Sequence, residues 1–165
     1  MSHSLPTPPP GTTTTSMETG SREPPFLIAD SSGLISLTSE RDRNHPHALR
    51  AARRLEATQA TILVPYDVYA ETVNMVGKKQ GHAKAYEVGR FLSDTAPFLV
   101  IDSSPAARDQ ALSRLLTLSE SVSYTDAVVM AVADEYETQK IFGFDEAFAN
   151  CGYENIPRWS QAEAA

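Results

Sequence analysis

Cysteine is almost missing from this chain of 165 residues. A single one, Cys151, excludes an internal disulfide, and no CxxC or Cys/His spacing suited to zinc occurs. Such usage fits a reducing compartment. No apolar run reaches the length of a membrane span, and the first residues lack the basic start and apolar centre of a signal peptide, so a cytoplasmic protein without membrane contact is expected. Positive charge is scarce as well: 14 Lys and Arg stand against 21 Asp and Glu, a formal net charge of −7. That balance argues against a surface that grips nucleic acid all over, while leaving room for a basic channel to an acidic centre. Large apolar side chains are nearly absent from residues 1–24 (including LPTPPPGTTTTS), which cannot bury enough surface to offset their ordering entropy. The expected organisation is a disordered tail over 1–24, one domain over 25–160 and a short tail over 161–165. Met17 offers a second initiation site nearer the domain.

What the chain does have is a hydrophobic fraction of 41%, enough for one core. Short apolar runs alternate with amphipathic stretches. The runs FLIAD (26–30), TILVP (61–65), FLVID (98–102) and QKIFGFD (139–145) are nearly continuous in apolar character, as in a parallel sheet covered on both faces. Helical periodicity predicts helices over 31–37, 47–57, 68–79, 82–93, 106–118 and 125–137. Asn44 and Ser104 are placed to cap, Pro46 and Pro105 lie near helix starts, and Gly81 separates two helices. The fold class is therefore α/β: a three-layer α/β/α sandwich around a central, mainly parallel twisted sheet, with right-handed crossovers. Ligands of such sheets bind beyond the carboxyl ends of the strands.

Four acids draw attention on those grounds. Asp30 and Asp145 end candidate strands at the ligand-binding edge. Glu71 falls in the stripe formed by Val64, Val68, Met75 and Val76, and Asp126 in the stripe formed by Val122, Val129, Met130 and Ala133. A carboxylate on an apolar stripe is costly unless something binds it. Each has an ordinary alternative. Asp30 and Asp145 are also placed to cap helices, Glu71 to sit at a boundary beside Tyr66, Asp67 or Lys78, and Asp126 to favour a helix start. Asp102 serves as a control, because it too ends an apolar run, yet Ser104-Pro105 already supplies the cap; it reads as structural. Asp134 reads as solvated or supporting. A hard divalent cation would give all four acids one common reason to gather.

The order and context of these acids resemble the PIN-domain nucleases, and most closely compact toxins of the VapC type. The matching segments are IADSSGLI, PYDVYAETVNMV, SYTDAVVMAVA and FGFDEAFANCGY, and the similarity spans about 26–159. Each motif is short; their order and spacing make the likeness specific. The resemblance implies a PIN-like fold and an acidic quartet of Asp30, Glu71, Asp126 and Asp145 holding Mg²⁺ or Mn²⁺, with Ser32 and Thr125 as supporting hydroxyls. It implies an endoribonuclease that hydrolyses RNA phosphodiester bonds, the toxin of a toxin–antitoxin pair, with a cognate antitoxin and a homodimer, for which the helical pair over 68–92 offers a surface. The long segment before the first strand departs from that pattern.

No histidine is required for such hydrolysis, and His3, His45, His47 and His82 read as surface residues. Arg41, Arg43, Arg50, Arg53 and Arg54 form one basic run, and Lys78, Lys79, Lys84 and Arg90 another. Either is a phosphate-binding track or a solvated helix face. Tyr66, Tyr69 and Tyr124 would stack on bases or simply pack. Other acid-based sites fit less well. A haloacid-dehalogenase phosphatase needs a second Asp where Ser32 stands, an Asp-x-Ser-x-Ser metal motif fails at Leu34, and the paired acids and late Lys of a receiver domain are missing. Two alternatives stay open: a catalytically silent module of the same fold that binds RNA or protein, and a housekeeping RNA-processing nuclease.

Overall fold

The computed structural model describes residues 26–158; the expected tails at 1–24 and 161–165 lie outside them. The first strand, β1 (Phe26–Ala29), is buried from Leu27 onward. Beside it lie β2 (Thr61–Pro65), β3 (Phe98–Ile101), β4 (Lys140–Phe142) and β5 (Glu154–Ile156). They form one five-stranded sheet in the order β3-β2-β1-β4-β5, and every described pairing is parallel. The continuous apolar runs are accounted for by this arrangement, since Ile28, Ala29, Ile62, Val64, Ile141 and Phe142 are wholly buried in the three inner strands. The two edges differ: β3 exposes Leu99, and β5 is only half-buried along its length.

The helices are α1 (Ser31–Thr38), α2 (His45–Ala57), α3 (Tyr66–Gln80), α4 (His82–Asp94), α5 (Pro105–Arg114), α6 (Tyr124–Glu135) and α7 (Glu146–Asn150). They cover the sheet to give the three-layer α/β/α sandwich expected, with α1 packed on α2, α3 on α4 and α5 on α6. Gly81 separates α3 from α4 with φ +91°, a conformation that glycine adopts without strain. Ser104 caps α5 by accepting from the Ala107 amide at 3.0 Å.

Four expectations need correction. Asn44 makes no side-chain cap for α2; instead Asp42 accepts from the Asn44 amide at 2.8 Å. The helix expected over 106–118 ends at Arg114. In α6 the buried residues are not a stripe but the unbroken run Ala127–Ala133, which makes it an interior helix packed against β1, β2 and β4. Finally, α7 and β5 follow β4 where no elements were expected; both are short, and Glu154-Asn155-Ile156 lacks the apolar signature of the other strands.

A very tight approach joins α1 to β4. A Cβ on Gly33 would stand 2.4 Å from the Phe142 carbonyl oxygen, which is backbone and cannot swing aside. Gly33→Ala should therefore lower the stability of the fold by about 2–3 kcal/mol through overpacking, read as a shift in the urea unfolding midpoint. A midpoint unchanged by that substitution would refute this packing.

Candidate active site

The parallel sheet ends β1 and β4 side by side, so the residues that follow them meet. Asp30 is extended and caps α1; its backbone N–H donates to the Phe142 carbonyl at 3.0 Å, and its Oδ2 accepts from the Ser32 amide at 3.1 Å. The Ser32 hydroxyl donates to the same oxygen and in turn accepts from the Phe144 amide at 2.9 Å. Space here is minimal: a Cβ on Gly143 would lie 2.9 Å from the Asp30 Cβ and 3.1 Å from Ser32 Oγ. Asp30 is 2% exposed, and its other oxygen, Oδ1, is buried with no hydrogen-bond partner. Burial pushes its carboxyl up to about 6; the Ser32 bonds oppose that shift, the negative charge of nearby Asp126 adds to it, and the adjacent Ser31 amide opposes it weakly.

Asp126 sits in the first turn of α6, where it forms a capping box with Ser123. The Ser123 amide (2.7 Å) and hydroxyl (2.8 Å) both donate to Asp126 Oδ2, while Ser123 Oγ accepts from the Asp126 amide at 3.1 Å. Asp145 is exposed and caps α7 by accepting from the Ala147 amide at 2.9 Å; its own carbonyl accepts from Asn155 Nδ2 at 2.8 Å. The capping roles open for Asp30, Asp126 and Asp145 are thus all present. Glu71 is half-buried in the second turn of α3, bordering the buried row Val68, Thr72 and Val76 rather than lying within it.

The structure therefore brings Asp30 and Asp126 into electrostatic contact and sets Asp145 two residues beyond Gly143 on the same edge. No interaction among the described residues links Glu71 to these three. As the side chains stand, no group of three or more His, Cys, Asp or Glu among the described residues is placed to hold a metal ion. Asp30 itself fits a hard cation well. A buried carboxylate oxygen with no donor and a second carboxylate nearby make a place where positive charge is favoured. Ser32 holds Asp30, and of the two hydroxyls that the sequence sets beside Asp126, Ser123 and Thr125, it is Ser123 that donates to it.

Neighbouring polar residues sort out clearly. Asp67 accepts from the buried Ser103 hydroxyl at 2.6 Å, and Asp102 is exposed. Asp134 is exposed yet engaged, and its partners lie away from the acidic edge. It pairs with Arg114 and accepts from the Tyr153 hydroxyl at 2.8 Å, while Arg114 Nη1 donates to that hydroxyl at 2.9 Å. This clasp ties α5, α6 and the turn before β5 together. His45 is half-buried and its Nδ1 bonds the Ser36 carbonyl at 2.9 Å, so it belongs to the α1–α2 joint rather than the open surface. The residues that sequence reasoning passed over are Gly33 and Gly143; the signal was glycine close to a strand-ending acid, where a close backbone approach is common.

Residues 27–152 match the family described as PIN domain. No curated protein matches the chain. Among solved structures, the Mycobacterium tuberculosis toxin VapC20, described as a sarcin-ricin loop cleaving toxin, superimposes with a TM-score of 0.67. Its sequence identity is 22%, and the alignment covers 77% of this chain and 95% of that one; the likeness is one of fold.

Two outcomes follow from the geometry. A carboxyl raised from 3.8 to about 6 keeps its proton longer in the folded than in the unfolded chain, so metal-free stability is lost as pH rises from about 4 to 6. In chelator at pH 7, Asp30→Asn should accordingly be more stable than the unaltered protein by up to about 3 kcal/mol, the gap closing towards pH 4. Urea titrations across that range decide it, and an Asp30→Asn variant less stable at every pH would contradict a desolvated carboxylate. For the clasp, Tyr153→Phe should cost about 1 kcal/mol in the same assay.

Proposed function

From the premise that this chain belongs to the PIN domain family, we propose that it is a divalent-metal-dependent endoribonuclease, the toxin of a toxin–antitoxin pair. The observation that carries this reading is Asp30 Oδ1, a buried carboxylate oxygen without a partner at the carboxyl edge of a parallel sheet. Asp30, Glu71, Asp126 and Asp145 would hold Mg²⁺ or Mn²⁺. When bound, such an ion supplies Lewis acidity that activates water and neutralises charge on the phosphate.

The chain's own residues do the positioning. Ser32, itself fixed by the Phe144 amide, holds Asp30 by Oδ2 alone and so leaves Oδ1 free at the packed α1–β4 corner. Ser123 likewise engages Asp126 through Oδ2 only. Asn155 steadies the backbone of Asp145 from the last strand. Single-stranded or looped RNA is the substrate class that the likeness to a toxin cleaving the sarcin-ricin loop supports. The exposed Tyr66, stacked on Tyr69 at a centroid distance of 5.7 Å, stands just past the end of β2 and would offer a base a flat face. An antitoxin segment covering the acidic edge and a homodimer complete the proposal. No described helix is long and apolar enough to cross a membrane.

A second reading has one observation in its favour. Carboxylates that do not converge in threes among the described residues are what a silent RNA- or protein-binding module of this fold would display. Incubation of the purified, antitoxin-free protein with RNA separates the two. Cleavage is expected with Mg²⁺ or Mn²⁺ and is lost in chelator, and Asp30→Asn or Asp126→Asn should slow it by about 100-fold or more. A folded protein that leaves RNA intact with either metal would favour the silent module. Cleavage in vitro without growth arrest on expression would mark a housekeeping nuclease instead.

A further inference from the structure

Arg50 and Arg54 stand four residues apart on α2 and so project from one face, with His47 one turn earlier; Arg50 Nη2 donates to His47 Nδ1 at 3.1 Å. Facing them, the chain leaves β5 through Ile156, Pro157 and Arg158. Between the two elements lies a cavity of about 520 Å³ whose lining holds three arginines and no acid. In a chain of net charge −7 this is a concentrated positive site. Arg158 donates from Nε to Glu154 at 2.6 Å, whereas Arg54 is paired with no carboxylate among the described residues. Leu55, Ile156 and Pro157 give the cavity an apolar floor.

Its place in the fold matters. The Ile156 carbonyl accepts from the Gly143 amide at 3.2 Å, and Gly143 is the residue packed against Asp30 and Ser32. Ile156 pairs with Phe142 and only β4 separates β5 from β1, so the chain leaves β5 on the same carboxyl edge as Asp30, two strand spacings, roughly 10 Å, across the sheet. We propose that this pocket between α2 and the end of β5 seats a phosphate and its ribose from the RNA strand a few nucleotides from the scissile bond. The inference rests on the nuclease reading above. Guanidinium forks suit phosphate oxygens, the apolar floor suits the sugar or base edge, and contacts of this kind fix the register of the strand without reading its sequence.

The test compares the unaltered protein with Arg50→Ala/Arg54→Ala, with Arg158→Ala and with Arg108→Ala, a control from the exposed face of α5. Initial cleavage rates over a range of RNA concentrations should show KM raised by about tenfold in the double variant with kcat within about twofold. Arg158→Ala should raise KM in the same direction by a smaller factor. The dependence of log KM on log salt should flatten by about 0.7 in the double variant, the amount for one lost phosphate contact on a single strand. Arg108→Ala should change neither. Anisotropy of a fluorescein-labelled single-stranded RNA in chelator makes the same comparison without cleavage. A double variant that binds this RNA as tightly as the unaltered protein, with the same salt slope, overturns the pocket. Binding that weakens as expected while the unaltered protein never cuts upholds the pocket and overturns only the nuclease reading.

Discussion

A single hydroxyl joins the two halves of the carboxyl edge. Ser32 Oγ accepts from the Phe144 amide beyond β4 and donates to Asp30 beyond β1, so residues more than a hundred positions apart become one rigid corner. The corner closes only because Gly33 and Gly143 leave room for it; a methyl at either would meet backbone or the Asp30 side chain well inside contact distance. Everything chemically distinctive about the edge follows from that closure. It removes Asp30 from water, satisfies one of its oxygens and strands the other. A desolvated charge with an unused oxygen is an unfavourable element in a folded protein unless something positive arrives.

The scaffold is built to tolerate this. The three inner strands are buried over Leu27–Ala29, Ile62–Val64 and Ile141–Phe142, and an interior helix is buried over Ala127–Ala133; together they supply apolar burial on both sides of the edge. Polar groups elsewhere are satisfied locally: Ser123 with Asp126, Ser103 with Asp67, and Arg114 and Tyr153 with Asp134. The charge is arranged in the same spirit. Acids gather at the end of the sheet, while the arginines of α2 face the end of its outermost strand. A net negative protein thus keeps a positive flank beside a negative centre.

Much of this could be read from the sequence. Four nearly continuous apolar runs announced a parallel sheet, and the acids at the ends of β1 and β4 were placed by the same rule that places ligands in such sheets. Ser104-Pro105 and Gly81 marked their turns correctly because cap and turn chemistry is local. What escaped was set by tertiary context. The edge strand β5 is half-polar and three residues long, so no periodicity could declare it, and Asn44 sits at the N-cap of α2 without a side-chain capping bond, its own amide held by Asp42. Periodicity suggested a one-sided stripe for α6 because its polar ends flank a run that is buried all round. Glu71 stood among apolar neighbours in the sequence, but their packing leaves it at the border of the buried row. The hydroxyl beside Asp126 was legible only as a pair of candidates. Ser123 and Thr125 are both close to Asp126 in the chain, and only the helix geometry selects the first.

The short strand β5 carries a consequence of its own. Its Ile156 carbonyl receives the Gly143 amide, and its Asn155 side chain holds the backbone of Asp145. Translation delivers Asp30 near the start of the domain and this strand near its finish. A growing polypeptide therefore carries the parts of an acidic edge long before it can lock them, and the segment that sets the lock is the last described strand of the domain to be made.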